Sequence, residues 1–253
     1  MIETHFHCLP EIDDGPADWD QAVALCRAAA AEGTTTVIAT PHVLREPWLN
    51  DDPAVRDRLI LKLNALLEGE PSVLAGCEYY FSSDAVQLVE RGKWSPLTGL
   101  NRTSYLLVEF PSGAVPPGAG AIFHELSLLG VTPVIAHPER DRWLAGSPDL
   151  LEELVSRGAV VQITAGSLLG DFGIDALTAC EEFFRRGLVH LIASDAHSMS
   201  RRPPRLAAAR RHVRRTWGKR AEAELFETNP KALLQSEPLP AVGLGANVSF
   251  IRD

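Results

Sequence analysis

The sequence predicts an α/β protein whose parallel strands are joined by helical crossovers. Two observations point there. Short β-branched runs bounded by turn residues alternate with longer stretches of helical spacing from end to end. Six of the seven runs are followed at once by a histidine or an acid, at the strand end where parallel α/β folds build their sites. Length agrees, since 253 residues is a size that α/β barrels use as one unit. With no linker, repeat or low-complexity segment in view, a single domain over residues 1–253 is expected.

The elements follow in order. Ile2–Phe6 opens as a strand, and its period of two sends His5 and His7 of "THFH" to one face, where two imidazoles can reach one ion. Asp13 and Asp14 precede Gly15 in a turn; Asp13 suits an Asx turn and helix start, leaving Asp14 to orient a ligand or donate a proton. After a helix over Trp19–Ala31, the strand Thr34–Ala39 ends in "ATPH" with His42. A helix over Ala54–Leu67 leads to the strand Ser72–Ala75, which ends in "AGCE" with Glu78. Tyr105–Val108 runs into "VEF" with Glu109 and is followed by a helix over Ala119–Leu129. Pro133–Ala136 ends in "AHPER" with His137 and Arg140, and Pro148–Arg157 is helical. Val160–Ile163 delivers no ligand-type residue; after a helix over Ile174–Arg186, His190–Ala193 ends in "ASDAH" with Asp195 and His197. From Arg201 to Arg220 nine basic residues occur without an acid, with Leu206, Val213 and Trp217 at helical spacing, which reads as a solvated helix face over an apolar stripe, an anion-facing surface being the alternative. Pro230 onward reads as a closing helix and tail. Such alternation leaves two architectures, an open doubly wound sheet or a closed barrel.

Composition narrows the function. Hydrophobic residues make up 45% and charged residues 23%, as in an ordered globular protein. No apolar run approaches the ~18 residues of a membrane span, and "MIETHFH" lacks a signal-peptide pattern, so a cytoplasmic location is expected. A net charge of -9 opposes nucleic acid or anionic lipid as the main partner. Four scattered cysteines without a C-x-x-C pair suggest neither a disulfide framework nor a zinc finger. "CEEFFRR", Cys180 to Arg186, has the Cys-x5-Arg spacing of a thiol-dependent phosphatase, but Glu181 and Glu182 would repel a phosphate dianion and Phe183 and Phe184 read as a buried helix face.

His5, His7, His42, Glu78, Glu109, His137, Asp195 and His197 offer more nitrogen and oxygen ligands than one ion uses, so two or three divalent ions are expected, with manganese, iron and zinc all compatible. Such clusters activate water at neutral pH and hold the oxygens of a displaced group, and phosphate esters are natural substrates. Arg140 and Arg202 are placed to aim guanidinium forks at a phosphoryl group, whereas Arg142 and Arg201 read as solvated surface.

Taken together, "HFHCLPEIDDGP", "TTTVIATPH", "GCEYY", "VEFP", "FHELSLLGVTPVIAHPER", "GLVHLIASDAH", "RPP" and "TNPKALL" resemble the polymerase-and-histidinol-phosphatase (PHP) family. The resemblance is strongest to its bacterial metal-dependent protein-tyrosine phosphatase branch, linked to capsule and exopolysaccharide synthesis. It covers nearly the whole chain. It implies a distorted seven-stranded (β/α)7 barrel of TIM-like form and a trinuclear site, commonly manganese, held by the eight residues above, with Arg140 and Arg202 on the phosphate. The implied substrate is phosphotyrosine on the tail of a bacterial tyrosine kinase. The sequence departs from that branch at Glu3, where Asp is usual, at Phe6, where a small residue is usual, and at Ser198, where Asn is common. His124 matches no ligand position and reads as a packing or surface residue. A small-molecule phosphatase of the histidinol-phosphate type and a nucleic-acid-processing PHP module are the rival functions, and oligomeric state is left open.

Overall fold

The computed structural model describes residues 1–90 and 97–242. Its elements alternate as the periodicities require. Strand β1 (Ile2–Phe6) is followed by α1 (Trp19–Ala31), β2 (Thr36–Ala39), β3 (His42–Val43), α2 (Pro53–Leu66), β4 (Ser72–Ala75), β5 (Glu78–Tyr80) and α3 (Ala85–Glu90). Then come β6 (Tyr105–Glu109), α4 (Ala119–Leu128), β7 (Thr132–Ala136), α5 (Arg142–Gly146), α6 (Pro148–Ser156), β8 (Val160–Thr164), α7 (Ala165–Leu168) and α8 (Ile174–Arg186). Strand β9 (Leu191–Ala193), α9 (Leu206–Ala223) and α10 (Asn229–Leu234) complete the described fold. The tail expected after the closing helix runs on into residues 243–253, outside the described residues.

Local chemistry sets the boundaries. Asp18 caps α1 by accepting from the Gln21 amide at 2.8 Å, and Asp52 caps α2 ahead of Pro53, whose missing N–H costs nothing in a first turn. Helix α8 ends at Gly187 in the left-handed region, φ 69°. Two strands are longer than their β-branched runs suggest. Pro41 has no N–H to give the ladder and splits one strand into β2 and β3; Gly76 splits another into β4 and β5. At Gly76 a Cβ would lie 2.8 Å from Ile38 Cγ2, so only glycine admits this close approach.

All strand pairs are parallel, in the orders β1-β2-β4 and β3-β5-β6-β7-β8-β9. With β2–β3 and β4–β5 as halves of single strands, these orders are one sheet of seven strands in sequence order. Its two edges meet: the His7 amide donates to the Ala196 carbonyl at 2.9 Å, the Asp195 amide donates to the His5 carbonyl at 3.1 Å, and Phe6 and Ala196 form a parallel bridge. Of the two architectures that the crossovers allow, these edge contacts favour the seven-stranded α/β barrel over an open sheet.

Strand alternation separates two cores and positions the site. Leu106 and Val108 of β6 face the helices with Phe123, Leu151 and Phe183, while Leu107 faces inward with Ile38, Val134 and Leu191. Leu233 and Leu239 of the C-terminal segment pack on this inner layer. One step of two beyond Leu107 along the strand is Glu109, so the same inward face turns from apolar to acidic at its C-terminal end. A third cluster, with Phe6, Leu25, Val37 and Leu63, seats α1 and α2. The stripe read under the basic run is real: Leu206 and Val213 are buried, and Trp217 stacks on Phe184 with centroids 3.9 Å apart.

Candidate metal centre and its neighbours

The eight strand-end residues converge at the C-terminal mouth of the sheet. His5 Nε2 lies 3.1 Å from His7 Nε2, 3.2 Å from Asp195 Oδ1 and 3.4 Å from Glu78 Oε2. Glu78 is the hub, with Oε2 also 3.0 Å from His42 Nδ1 and 3.3 Å from His7 Nε2, and Oε1 3.0 Å from His137 Nε2. Glu109 Oε2 reaches within 3.7 Å of His42 Nδ1. His197 Nε2 and His42 Nε2 lie 3.2 and 3.4 Å from Asp14 Oδ1. His137 and Asp195 both adopt left-handed backbone, φ 36° and 51°, a conformation that costs a non-glycine residue about 1–3 kcal/mol and that the surrounding packing must hold.

The donor set fits divalent cations. Among the described residues four overlapping groups have ligand-type atoms all within 4.8 Å of one another: His7, Asp14, His42 and His197; His5, His137 and Asp195; His5, His7 and Glu78; His42, Glu78 and Glu109. Glu78 Oε2, Glu109 Oε2, Asp195 Oδ1 and His197 Nε2 are buried without a hydrogen bond, which is costly unless something else satisfies them. The electrostatics agree. Burial alone would lower the imidazole of His7, but Asp13 and Glu78 outweigh it and pull it up to about 10; burial opposes His42 likewise, and Glu78 and Asp14 bring it to about 9. His197 goes the other way, lowered to about 4 by burial and by the charge of His7, so it is at His7 and His42 that the pocket draws protons and that metal ions would compete for the nitrogens.

Three residues that the strand-end reading did not select complete the arrangement. Asp13 makes the expected Asx turn through Oδ1 to the Gly15 amide at 2.9 Å, and through Oδ2 it also accepts from His7 Nδ1 at 2.8 Å. The ligand-orienting contact considered for Asp14 is thus made by Asp13 to His7, while Asp14 itself faces the cluster. Gln162 of β8, the strand whose end delivers no ligand, accepts from His5 Nδ1 at 3.0 Å. Arg45 Nη1 lies 2.5 Å from His42 Nε2 and pairs with Glu109 at 3.3 Å, its guanidinium lying over Trp48 and Tyr80 at 5.8 and 5.9 Å.

Arg140 and Arg202 stand together at the mouth. Both donate to Asp195 Oδ2, Arg202 at 3.1 Å, and Arg202 also reaches Asp14 Oδ2 at 3.0 Å. Burial pushes the Asp14 carboxyl up, but His197 and His42 outweigh it and hold the group far below the usual carboxylate range. Glu3 lies beneath the site, wholly buried, accepting from the Ser194 amide at 2.8 Å, and burial pushes it up to about 8. Cys180 is buried in α8, its thiol pushed up by burial and by Glu139 and Glu181, with Phe183 and Phe184 beside it in the core. His124 is exposed on α4.

Comparison with known proteins agrees with this geometry. The tyrosine-protein phosphatase YwqE of Bacillus subtilis (strain 168) is 40% identical over 204 residues, which are 80% of this chain and 79% of that protein. The tyrosine-protein phosphatase CpsB of Streptococcus agalactiae is 27% identical over 248 residues, 93% of this chain and 99% of that protein. A solved structure from work on YwqE of Bacillus subtilis and CpsB of Streptococcus pneumoniae, described there as metal-dependent tyrosine phosphatases, superposes with a TM-score of 0.89 at 36% identity, covering 97% of this chain and 100% of that one. A variant of the organophosphorus hydrolase from Deinococcus radiodurans, 15% identical with a TM-score of 0.54 over 92% of each chain, shares the fold alone. The model of the family described as capsular polysaccharide synthesis, CpsB/CapC, matches residues 1–235, and this chain belongs to that family.

Proposed function

We propose that this chain is a metal-dependent tyrosine phosphatase serving capsular polysaccharide synthesis, one catalytic domain that removes phosphate from phosphotyrosine on a bacterial tyrosine kinase tail in the cytoplasm. The observation that carries this reading is the convergence of eight imidazole and carboxylate side chains, four of which, Glu78, Glu109, Asp195 and His197, have a buried ligand-type atom without a hydrogen bond. His5, His7, His42, Glu78, Glu109, His137, Asp195 and His197 would hold two or three divalent ions, with manganese the expected metal. Such ions supply a nucleophilic water at neutral pH and neutralise phosphoryl oxygens.

The chain's own residues do the rest. Asp13 and Gln162 fix the tautomers of His7 and His5, so that each presents Nε2 to the cluster. Arg140 and Arg202, released from Asp195 as substrate enters, turn their forks onto the phosphoryl oxygens and stabilise the charge that develops there. Asp14, kept ionised between His42, His197 and Arg202, accepts a hydrogen bond from the attacking water and orients it, and a carboxyl held this far down is a poor proton donor to the departing phenolate oxygen. No thiol takes part, since a buried Cys180 with a raised pKa is a poor nucleophile.

The test is hydrolysis, by manganese-loaded protein, of a phosphotyrosine peptide beside histidinol phosphate and a short single-stranded DNA. Preference for the peptide is expected. Faster turnover of histidinol phosphate would make this a small-molecule phosphatase, and DNA cleavage a nuclease.

A further inference from the structure

Two cavities adjoin the arginine pair. One, of about 390 Å³, extends from Glu109, His137 and Arg140 to Arg142. The other, of about 320 Å³, extends from Ser194 and Arg202 to Arg201 and Arg205. They are neighbours, because Phe172 lines the second and its ring lies 4.5 Å from the guanidinium of Arg140, which lines the first. Each cavity carries one exposed guanidinium, Arg142 or Arg201, that forms no ion pair among the described residues. Arg205 pairs with Asp171 at 3.4 Å, and Arg210, Arg214 and Arg220 of α9 pair with Glu222, Glu227 or Glu224; Arg211, Arg215 and Lys219 of that helix have no ion pair among the described residues either, but they line neither cavity.

Apolar side chains are exposed on α5 and the loops of the same end. Trp143 is 58% exposed, Met199 53% and Phe172 36%. A small phosphate ester that reached the arginine pair would leave both cavities, both unpaired cations and these apolar faces unused. A chain crossing the mouth would use them all.

We infer that the mouth is a docking surface for an acidic polypeptide segment, in which carboxylates flanking the phosphotyrosine engage Arg142 and Arg201 while apolar residues cover Trp143, Phe172 and Met199. The inference rests on the tyrosine phosphatase reading and deepens it to a substrate preference. Charge makes it discriminating. The protein as a whole carries a net charge of -9 and repels an acidic partner, so the attraction must come from these local cations and must weaken as salt screens it.

Three phosphotyrosine peptides that differ only in flanking Glu, Ala or Lys test it with the manganese-loaded protein. The parent should prefer the Glu peptide over the Lys peptide by about tenfold in kcat/KM at low salt, with the preference shrinking as salt is added. Arg142→Ala and Arg201→Ala should each reduce that ratio by about three- to tenfold, mainly through KM, and Arg201→Glu should reduce it further. The ratio is taken within each variant, so a partial loss of folded or metallated protein cancels. Ratios unchanged across the variants would overturn the inference. Equal turnover of all three peptides by the parent would overturn it and leave the phosphatase reading standing. Turnover of none of them, with a small phosphate ester hydrolysed, would bring both down.

Discussion

Gln162 holds His5: its Oε1 accepts from His5 Nδ1 at 3.0 Å while its own Nε2 donates to Thr4 Oγ1 at 2.9 Å, and all three side chains are buried. The amide is thereby locked, and His5 is committed to the tautomer that leaves Nε2 free toward Glu78 and Asp195. Gln162→Met keeps the volume and removes the acceptor. Metal affinity should fall about 10- to 100-fold, read by metal titration and by elemental analysis after gel filtration. Unchanged affinity would mean that packing alone orients His5.

Removing an arginine from the pair should spare the metals and harm the chemistry. Arg202→Ala and Arg140→Ala each lose a charge-assisted contact, costing about 2–4 kcal/mol of transition-state stabilisation. Metal content of each purified variant is the control; depleted ions in Arg202→Ala would show that its grip on Asp14 and Asp195 is structural.

Strong chelation should abolish turnover and added manganese restore it, while Cys180→Ser keeps activity within a few-fold of the parent. The serine hydroxyl replaces a buried thiol in α8, so a stability loss of about 1–3 kcal/mol is expected in denaturant melts. Inactivity of a folded, metal-loaded Cys180→Ser protein is the result that contradicts a metal-water mechanism.

His190 makes stability depend on pH far from the metal centre. Burial lowers its imidazole from 6.5 to about 4, and in the neutral ring Nδ1 accepts from the Val161 amide at 3.1 Å. Because the folded form resists protonation, the contribution is full above pH 6.5 and is lost as pH falls toward 4, by up to about 3 kcal/mol. His190→Gln should flatten this part of the profile. The quantity to compare is the difference in unfolding free energy between parent and variant at pH 7 and pH 4.5; an equal difference at both would refute the assignment.

The fold and the ligand set were legible because the signals are local. A β-branched run announces a strand, and the residue that ends it announces the site, so all eight proposed ligands could be read one strand at a time. Local reading stopped where placement depends on distant partners. Gln162 lies inside a strand and gains its role only because β8 faces β1 across the sheet interior. Arg45 is brought into the cluster by a loop that turns back on itself, with the Leu44 amide donating to the Leu49 carbonyl at 2.8 Å and Asn50 Nδ2 donating to the carbonyls of Ile12 and His42, each at 2.8 Å. The extensions β3 and β5 were hidden behind Pro41 and Gly76, residues that normally end a strand. Asp13, read as an Asx turn and helix start, makes the turn and holds His7, while the helix is started by Asp18, five residues on.

The meeting of His5 and His7 with Asp195 and Ala196 has a consequence for how the protein is made. Proposed metal ligands from the first and last strands stand side by side, so a chain emerging from the ribosome offers an incomplete site until His197 has been synthesised. Parallel strands paired across so much sequence also assemble late and slowly. Cations that bind only the finished ring would then draw the final strand into place and hold it there by mass action. Tight metal uptake thus reports a closed ring of strands, and fragments ending before Asp195 should be left without it.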